Sequence, residues 1–436
     1  MWVVIACAAM ALGARSACAE ALLVVEVETG KVLFAENAGH QWYPASVTKL
    51  MTAYVTLRAV KEGRLTLETP LTVSANAVAQ APVKMGFGAG TQVTVDNALK
   101  MLMVKSANDI AVVLAEGVAG SIENFADQMN YHARRLGMVQ SSFVNPNGLP
   151  ADDQISSARD LAILARALIR EFPEYDYYWH LPGIRLGHKV QRNYNTLIGR
   201  YPGADGMKTG FICAAGFNLV ASATRNGRRL IAVVLGAPSS AARAMKAAQL
   251  LERGFNSSGG LSWLMPPLGT VEMVQPVNDA PPNLRDEMCG SHRKRPATED
   301  EDEIMGTNND PSSPYAIFLS SLRPSKVKGA LLNDGNAGEP VVVYTGTKPP
   351  PPGAVADEPR PKKKKPAKAA EKDAGKDAIK DAAKDAPKKD GRKPATEKGA
   401  TSATGDTSPS KPKPKKPEPK PTALTPASDQ QTSQMR

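Results

Sequence analysis

Apolar residues recur along this chain with two different periods, and the points where the period changes outline a fold. Between residues 21 and 36 the run ALLVVEVETGKVLFAE reads as two short strands about the turn Glu28-Thr29-Gly30. From about Ser46 the spacing becomes helical, and further helices are predicted at 96–119, 121–136 and 156–171. In the last of these, Leu161, Leu164, Ala165 and Leu168 share one face, and Ser156 or Ser157 supplies the cap at its start. Past residue 208 continuous apolar runs return. KTGFICAAGFNLVASATRNGRRLIAVVLGA contains two of them around Asn226-Gly227, the dipeptide favoured in tight hairpin turns. A final helix over about 239–255 turns Ala244, Ala248, Leu251 and Phe255 toward the same core. Strands at both ends of a helical middle predict an α+β domain over 20–257 rather than a doubly wound sheet.

Beyond Asn256 the pattern fades. Residues 258–346 read as a small or irregular region, polar and charged from 279 to 314, with EPVVVYTGT as its one strand-like stretch. From 347 to 436 the chain is Lys, Pro, Ala and Asp, including the four-residue repeat KDAGKDAIKDAAKDA, and is expected to be a disordered tail. Its last residues, TALTPASDQQTSQMR, form no apolar face. At the other end, MWVVIACAAMALGARSACAE is an apolar run closed by Ala17-Cys18-Ala19, which fits a signal peptide over 1–19, either cleaved or kept as a membrane anchor, and export to the periplasm or cell envelope. That apolar run is short for a membrane span.

Charge changes the picture once it is located. The formal net charge is +11, and residues 348–436 carry 22 Lys and Arg against 12 Asp and Glu, so nearly all of the excess belongs to the tail. An exported chain rarely meets DNA and Asp recurs through the repeat, so anionic lipid or wall polymer is the expected partner of the tail, and nucleic acid is not. Of the four cysteines, signal cleavage would remove Cys7 and Cys18, leaving Cys213 and Cys289 as either one disulfide or two thiols. No cysteine shows metal-ligand spacing with the five histidines, so neither a metal nor a cofactor is expected.

The chemistry concentrates in three short motifs. YPASVTKLMTAYV sets Ser46 and Lys49 three apart at the start of an apolar helical run, on one helix face. A serine hydroxyl needs a base, and a lysine serves only as a neutral amine, a state favoured by burial and a second nearby cation. Ser106-Ala107-Asn108 lies inside a helical stretch, and Lys208-Thr209-Gly210 begins a strand. In this order and context, Ser-x-x-Lys, Ser-x-Asn and Lys-Thr-Gly match the site of penicillin-recognising serine enzymes.

The similarity extends further. PASVTKLMTAYV, FVNPNGL, GADGMKTGF and GFNLVASATRNGRRLIAVVLGA resemble the low-molecular-mass D-alanyl-D-alanine carboxypeptidases, from about Leu22 to Phe255. The resemblance implies a β-lactamase/transpeptidase-like fold, with a five-stranded antiparallel sheet flanked by a helical cluster and the site between them. It also implies Ser46 as nucleophile, Lys49 as its base, Ser106 as a proton relay and Lys208 as the second cation. The backbone N–H groups of Ser46 and Phe211, beside Gly210, would hold the oxyanion. Asn108 would hold the substrate amide or Lys49, while Lys208, Thr209 and Arg243 would gather a terminal carboxylate. A solvated arginine on the first turn of the last helix is the plainer reading of Arg243. Similar enzymes usually carry Thr two residues past the glycine of the last motif, where this chain has Ile212, a departure that touches substrate detail.

The implied activity is release of the terminal D-alanine from peptidoglycan pentapeptide through an acyl-serine, with β-lactams as covalent inhibitors. The alternatives are a β-lactamase or related D-amino-peptidase, or a non-catalytic cell-wall-binding protein. His40, His132, His180, His188 and His292 have no Gly-x-Ser-x-Gly partner, which leaves a Ser-His-Asp triad without support. Asp152-Asp153 after NPNGLP reads as a polar turn.

Overall fold

A computed structural model describes residues 20–257, 268–291 and 338–349. The chain divides into two units, Met1–Lys362 and Lys363–Arg436, and every described residue belongs to the first. The expected signal peptide, and the expected tail from residue 350 onward, lie outside the described residues.

In chain order the elements are β1 (Ala21–Glu26), β2 (Val32–Glu36), β3 (Gln41–Trp42), α1 (Lys49–Lys61), β4 (Pro70–Thr72), α2 (Ala75–Ala79), β5 (Gln92–Thr94), α3 (Val95–Val104), α4 (Asn108–Ala119) and α5 (Ile122–Leu136). There follow β6 (Ser156–Ser157), α6 (Ala158–Glu171), β7 (Gly183–Leu186), β8 (Lys189–Arg192), β9 (Ala204–Ile212), β10 (Gly216–Arg225), β11 (Arg228–Ala237), α7 (Ser240–Asn256), α8 (Arg285–Cys289) and β12 (Val341–Val342).

The main sheet has the order β2-β1-β11-β10-β9, antiparallel throughout. Its central strands are apolar at nearly every position because both faces are covered. Helix α7 packs on β10 and β11, while α6 packs on β1 and β11 and joins the sheet to the remaining helices. Asn226 and Gly227 both have positive φ, 49° and 75°, as a tight β10–β11 hairpin requires.

Helix α1 is the centre of the helical cluster. Leu50, Met51, Val55 and Leu57 are all fully buried, and the helix packs against α4, α5 and α6, so it is a core helix with no solvent face over its first two turns. Each such side chain contributes about 1.5–3 kcal/mol. At the start of α6 the cap is Ser157, whose Oγ accepts from the Asp160 N–H at 3.1 Å, a contact worth about 1 kcal/mol. Ser156 instead bonds the Ser141 hydroxyl at 2.9 Å.

Two sequence expectations need correction here. The helix predicted over 96–119 is two helices, interrupted at Lys105-Ser106-Ala107, where Ser106 takes φ 60°. Apolar positions continue on both sides of the break, so periodicity alone does not register it. The predicted start of α1 at Ser46 is a 3-10 turn over Ala45–Thr48, with the α-helix beginning at Lys49 and no side-chain cap from Ser46.

Of the region after α7, the described residues 268–291 are attached to the domain at several points. Residues 268–290 run along the domain, with a 3-10 turn at Val271–Met273 and the short α8. Cys213 and Cys289 form a disulfide, which resolves the choice the sequence left open. Closing a separation of 76 residues removes chain entropy worth about 4 kcal/mol in the chain-entropy model. Of EPVVVYTGT only Val341–Val342 forms a strand, parallel to β7. Among the described residues no helix is long and apolar enough to cross a membrane.

Behind α1, His132 on α5 is buried edge-on to Tyr54 at 5.5 Å. Burial, reinforced by Arg135 and Arg58, pushes its pKa down from 6.5 to about 4, against the smaller opposing pull of Glu62 and Glu171. The unfolded chain therefore takes up this proton near pH 6.5 and the folded chain only near pH 4, so the stability present above 6.5 is lost as pH falls through that window. His132→Phe keeps the ring contact and removes the titration. Denaturant unfolding measured from pH 7 to 4 is expected to show a shallower loss of stability in the variant than in the parent.

Candidate active site

The three motifs converge where the edge strand β9 meets the start of α1. The 3-10 turn Ala45–Thr48 presents Ser46 and passes directly into α1, so Lys49 enters the core and is fully buried. A buried amine needs partners to replace water. Lys49 Nζ lies 3.0 Å from Ser46 Oγ, 2.8 Å from Asn108 Oδ1 and 2.6 Å from the Asn147 carbonyl oxygen. The last two partners are oxygens that only accept, so both take N–H groups of the amine. In the neutral amine those two bonds use both hydrogens, and the lone pair is left for the Ser46 hydroxyl.

Asn108 opens α4, immediately after the break at Ser106, and is itself fixed. Its N–H donates to the Val83 carbonyl at 2.8 Å and its Nδ2 to the Ala81 carbonyl at 3.0 Å. Asp109 completes the hold on this loop by accepting from Met85 N at 3.0 Å and Gly86 N at 2.8 Å. The left-handed residue is Ser106, whose buried Oγ has no hydrogen-bond partner among the described residues. Thr209 Oγ1 on β9 is in the same state. A buried hydroxyl left unpaired costs about 1–3 kcal/mol, and these two lie in the Ser-x-Asn and Lys-Thr-Gly motifs.

Strand β9 carries Lys208, Thr209, Gly210 and Phe211 in register with Val220, Leu219, Asn218 and Phe217 of β10. Lys208 is buried and donates to the Thr209 carbonyl at 3.0 Å. Gly210 faces the backbone of the Ser46 turn: a Cβ there would lie 2.9 Å from the nitrogens of both Ser46 and Val47. Phe211 stacks with Phe217, ring centroids 4.4 Å apart.

Arg243 is not a solvated arginine. It is 1% exposed, donates to Ser240 Oγ at 3.0 Å and to the Asn218 carbonyl at 3.4 Å, and its guanidinium lies over the Phe217 ring at 5.6 Å. The first turn of α7 faces β10 rather than water, which counting from the hairpin does not reveal.

Two residues escaped the sequence reading. Asn147 supplies through its backbone the shortest of these Lys49 contacts, in a turn set by Asn145, whose Oδ1 accepts from Gly148 N at 2.7 Å. Gly148 has φ 80°, and a Cβ there would collide with the Ala45 carbonyl. Asn218, fully buried in β10 between Phe217 and Leu219, donates to the Tyr43 carbonyl at 2.9 Å and accepts from Gly236 N at 3.0 Å. A lone Asn in GFNLVASA was the available signal.

Residues 8–239 match the family model for D-alanyl-D-alanine carboxypeptidase, peptidase S11. The chain belongs to this family. Among relatives, it is 40% identical over 250 residues to D-alanyl-D-alanine carboxypeptidase DacC of Escherichia coli (strain K12) and 33% identical over 246 residues to DacF of Bacillus subtilis (strain 168). These alignments cover 56% and 55% of this chain and 62% of each relative, so the chain matches somewhat under two thirds of the relatives' length. Among solved structures, penicillin binding protein 6B of Escherichia coli is similar with TM-score 0.52 and 38% identity, over 54% of this chain and 76% of that one. Penicillin binding protein 5 of Haemophilus influenzae gives TM-score 0.52 and 36% identity, over 54% and 70%. The sheet and helical cluster described above are thus the family's fold.

The Gly210 contact generates a test. Gly210→Ala forces β9 and the Ser46 turn apart, because the neighbours are backbone and cannot yield as a side chain would. A displacement of about 1 Å at reacting atoms lowers rates by roughly 10²-fold. Labelling by a fluorescent β-lactam is expected to slow by that order in Gly210→Ala. Gly88→Ala, where the added Cβ meets nothing within 4 Å, is expected to label like the parent.

Proposed function

We propose that this chain is a serine-type D-Ala-D-Ala carboxypeptidase that removes the terminal D-alanine of peptidoglycan pentapeptide through an acyl-serine, and that β-lactams block it by acylating the same serine. The observation that carries the reading is the buried Lys49 amine, bonded to two acceptor-only oxygens and within 3.0 Å of Ser46 Oγ.

The residues supply each step. Lys49 takes the proton of Ser46 as Oγ attacks the carbonyl carbon of the penultimate D-alanine. The N–H groups of Ser46 and Phe211 receive the developing oxyanion. The C–N bond then breaks, and the leaving amine of D-alanine takes a proton by way of the Ser106 hydroxyl. Water attacks the ester, Lys49 accepts its proton and Ser46 recovers its own. Asn108 holds Lys49 and the substrate amide. Lys208 and Thr209 bind the terminal carboxylate, and Arg243 adds positive charge behind the strand by its bond to the Asn218 carbonyl.

A site of this kind serves a substrate outside the cytoplasm, consistent with a signal peptide over 1–19 and residence in the periplasm or cell envelope. The tail from 348, with 22 Lys and Arg against 12 Asp and Glu, suits anionic lipid or wall polymer.

Mass-spectrometric mapping after penicillin treatment is expected to find the adduct on Ser46, and Ser46→Ala is expected to abolish both the adduct and D-alanine release. Lys49→Met should lower acylation by at least roughly 10²-fold, the lower end of general-base contributions. An adduct on Ser106, or normal acylation of Lys49→Met, would overturn the assignment. A long-lived adduct distinguishes this activity from that of a β-lactamase.

Deleting residues 348–436 is expected to leave acylation unchanged while weakening retention on anionic vesicles at low salt. The difference should close as salt rises to about 0.5 M, where the Debye length falls to a few Å. Cosedimentation of the two proteins across a salt series measures it.

A further inference from the structure

The turn that follows the Lys-Thr-Gly strand is tied down from three directions. Trp42 Nε1 donates to the Ala215 carbonyl at 3.0 Å, from β3, which leads directly into the Ser46 turn. Leu284 N donates to the Ala214 carbonyl at 3.0 Å, and Cys213 is bonded to Cys289 of α8. Two of these three ties come from the segment that follows the catalytic domain in sequence, beyond the residues that the family model matches.

That segment is itself anchored at both halves of the domain. Val271 N bonds the Gly30 carbonyl at 2.9 Å in the β1–β2 turn, and Val277 N bonds the Gly39 carbonyl at 2.7 Å. Arg159, at the start of α6, donates to the carbonyls of Val274 at 3.1 Å and Glu272 at 3.2 Å. Gly39 is needed for this path, since a Cβ there would overlap the Gln275 carbonyl. The chain then reaches the end of β9, where Leu284 and Met288 are buried beside the disulfide. Sheet edge, helical cluster and the turn at 212–216 are thereby joined by one strap that passes outside the catalytic elements.

A strap that only closed a loop would need no such attachment beside the catalytic strand. We propose that the Cys213–Cys289 link and the strap 268–290 position the Lys-Thr-Gly strand against Ser46, holding the lip formed by Phe211 and Ile212 in the geometry that acylation needs. This rests on the acyl-serine reading of the site. Cys213 and Cys289 are positioning residues, acting through β9 on groups that meet the substrate. Ile212 is the last residue of β9 and the neighbour of Cys213, so the tie acts directly on the end of the strand. Without the covalent link the strap still closes over the domain through its backbone bonds, and what loosens is the end of β9.

The test is the rate of β-lactam acylation in the full-length protein carrying Cys213→Ala and Cys289→Ala, at a temperature well below both unfolding midpoints. The expected result is a limiting acylation rate lower by roughly tenfold, within the range that misplacing reacting atoms by up to 1 Å produces. The concentration giving half that rate should change less. Should the double variant fail to fold, the same rate is measured on folded protein with Cys7 and Cys18 replaced by Ala and the remaining disulfide reduced. Dithiothreitol supplies the two electrons and becomes its cyclic disulfide, leaving two thiols. Reoxidation with oxidised glutathione is expected to restore the rate.

A folded, unlinked protein that acylates at the parent rate, with only its unfolding midpoint lowered, would reduce the link to a stabilising cross-link and overturn the proposal. Failure of the unaltered parent to acylate at Ser46 would instead overturn the reading of the site, a result visible before any cysteine is changed.

Discussion

Everything at the centre of this domain follows from keeping one amine out of water beside one hydroxyl. Lys49 is fully buried, so the nitrogen needs oxygens from the protein, and they come from three separate parts of the chain: the turn before α1, the start of α4 and the turn after α5. Removing any one of the three leaves a polar group unpaired in a low-dielectric interior, where that is expensive. The helical cluster around α1 holds those parts in register, and ten of the thirteen α1 residues are buried.

The second constraint is distance. Gly210 on the sheet and Gly148 on the loop press on the same stretch of backbone, Ala45 and Ser46, and neither position has room for a Cβ. Glycine serves two needs here: close approach at Gly210, and close approach together with a left-handed backbone at Gly148. With the Asn218 side chain bonded to the Tyr43 carbonyl just upstream, the Ser46 turn is held by backbone and amide contacts that do not depend on any flexible side chain. For the proposed reaction, such a site is set before substrate arrives, and binding energy need not be spent on assembling it.

Much of this was readable because the chain announces it through residue type. The β10–β11 hairpin was visible in Asn226-Gly227, and the α+β order in the change of period. Ser46, Lys49, Asn108 and the Lys-Thr-Gly residues were found through motif order, and the structure brings Lys49 into contact with both Ser46 and Asn108. What escaped detection works through atoms every residue possesses. The Asn147 carbonyl, the strap's backbone bonds to Gly30 and Gly39, and the break at Ser106 leave no mark on hydrophobic periodicity. The burial of Arg243 escaped because it depends on which face of α7 meets β10, and the cysteine pairing because it depends on the path after α7, where the sequence pattern fades.

The break between α3 and α4 has a bearing on how this stretch partitions into lipid. Joined, residues 95–119 would form a rod of about 37 Å, longer than the roughly 30 Å hydrocarbon core of a bilayer, and eight of the ten α3 residues and eight of the twelve in α4 are buried. Lys105, Asn108 and Asp109 sit near its middle, where a Lys or Asp opposes partition into lipid by about 2.5–3.5 kcal/mol each. The polar residues at the break, among them the Asn108 that holds Lys49, therefore also keep this stretch from lodging in a bilayer.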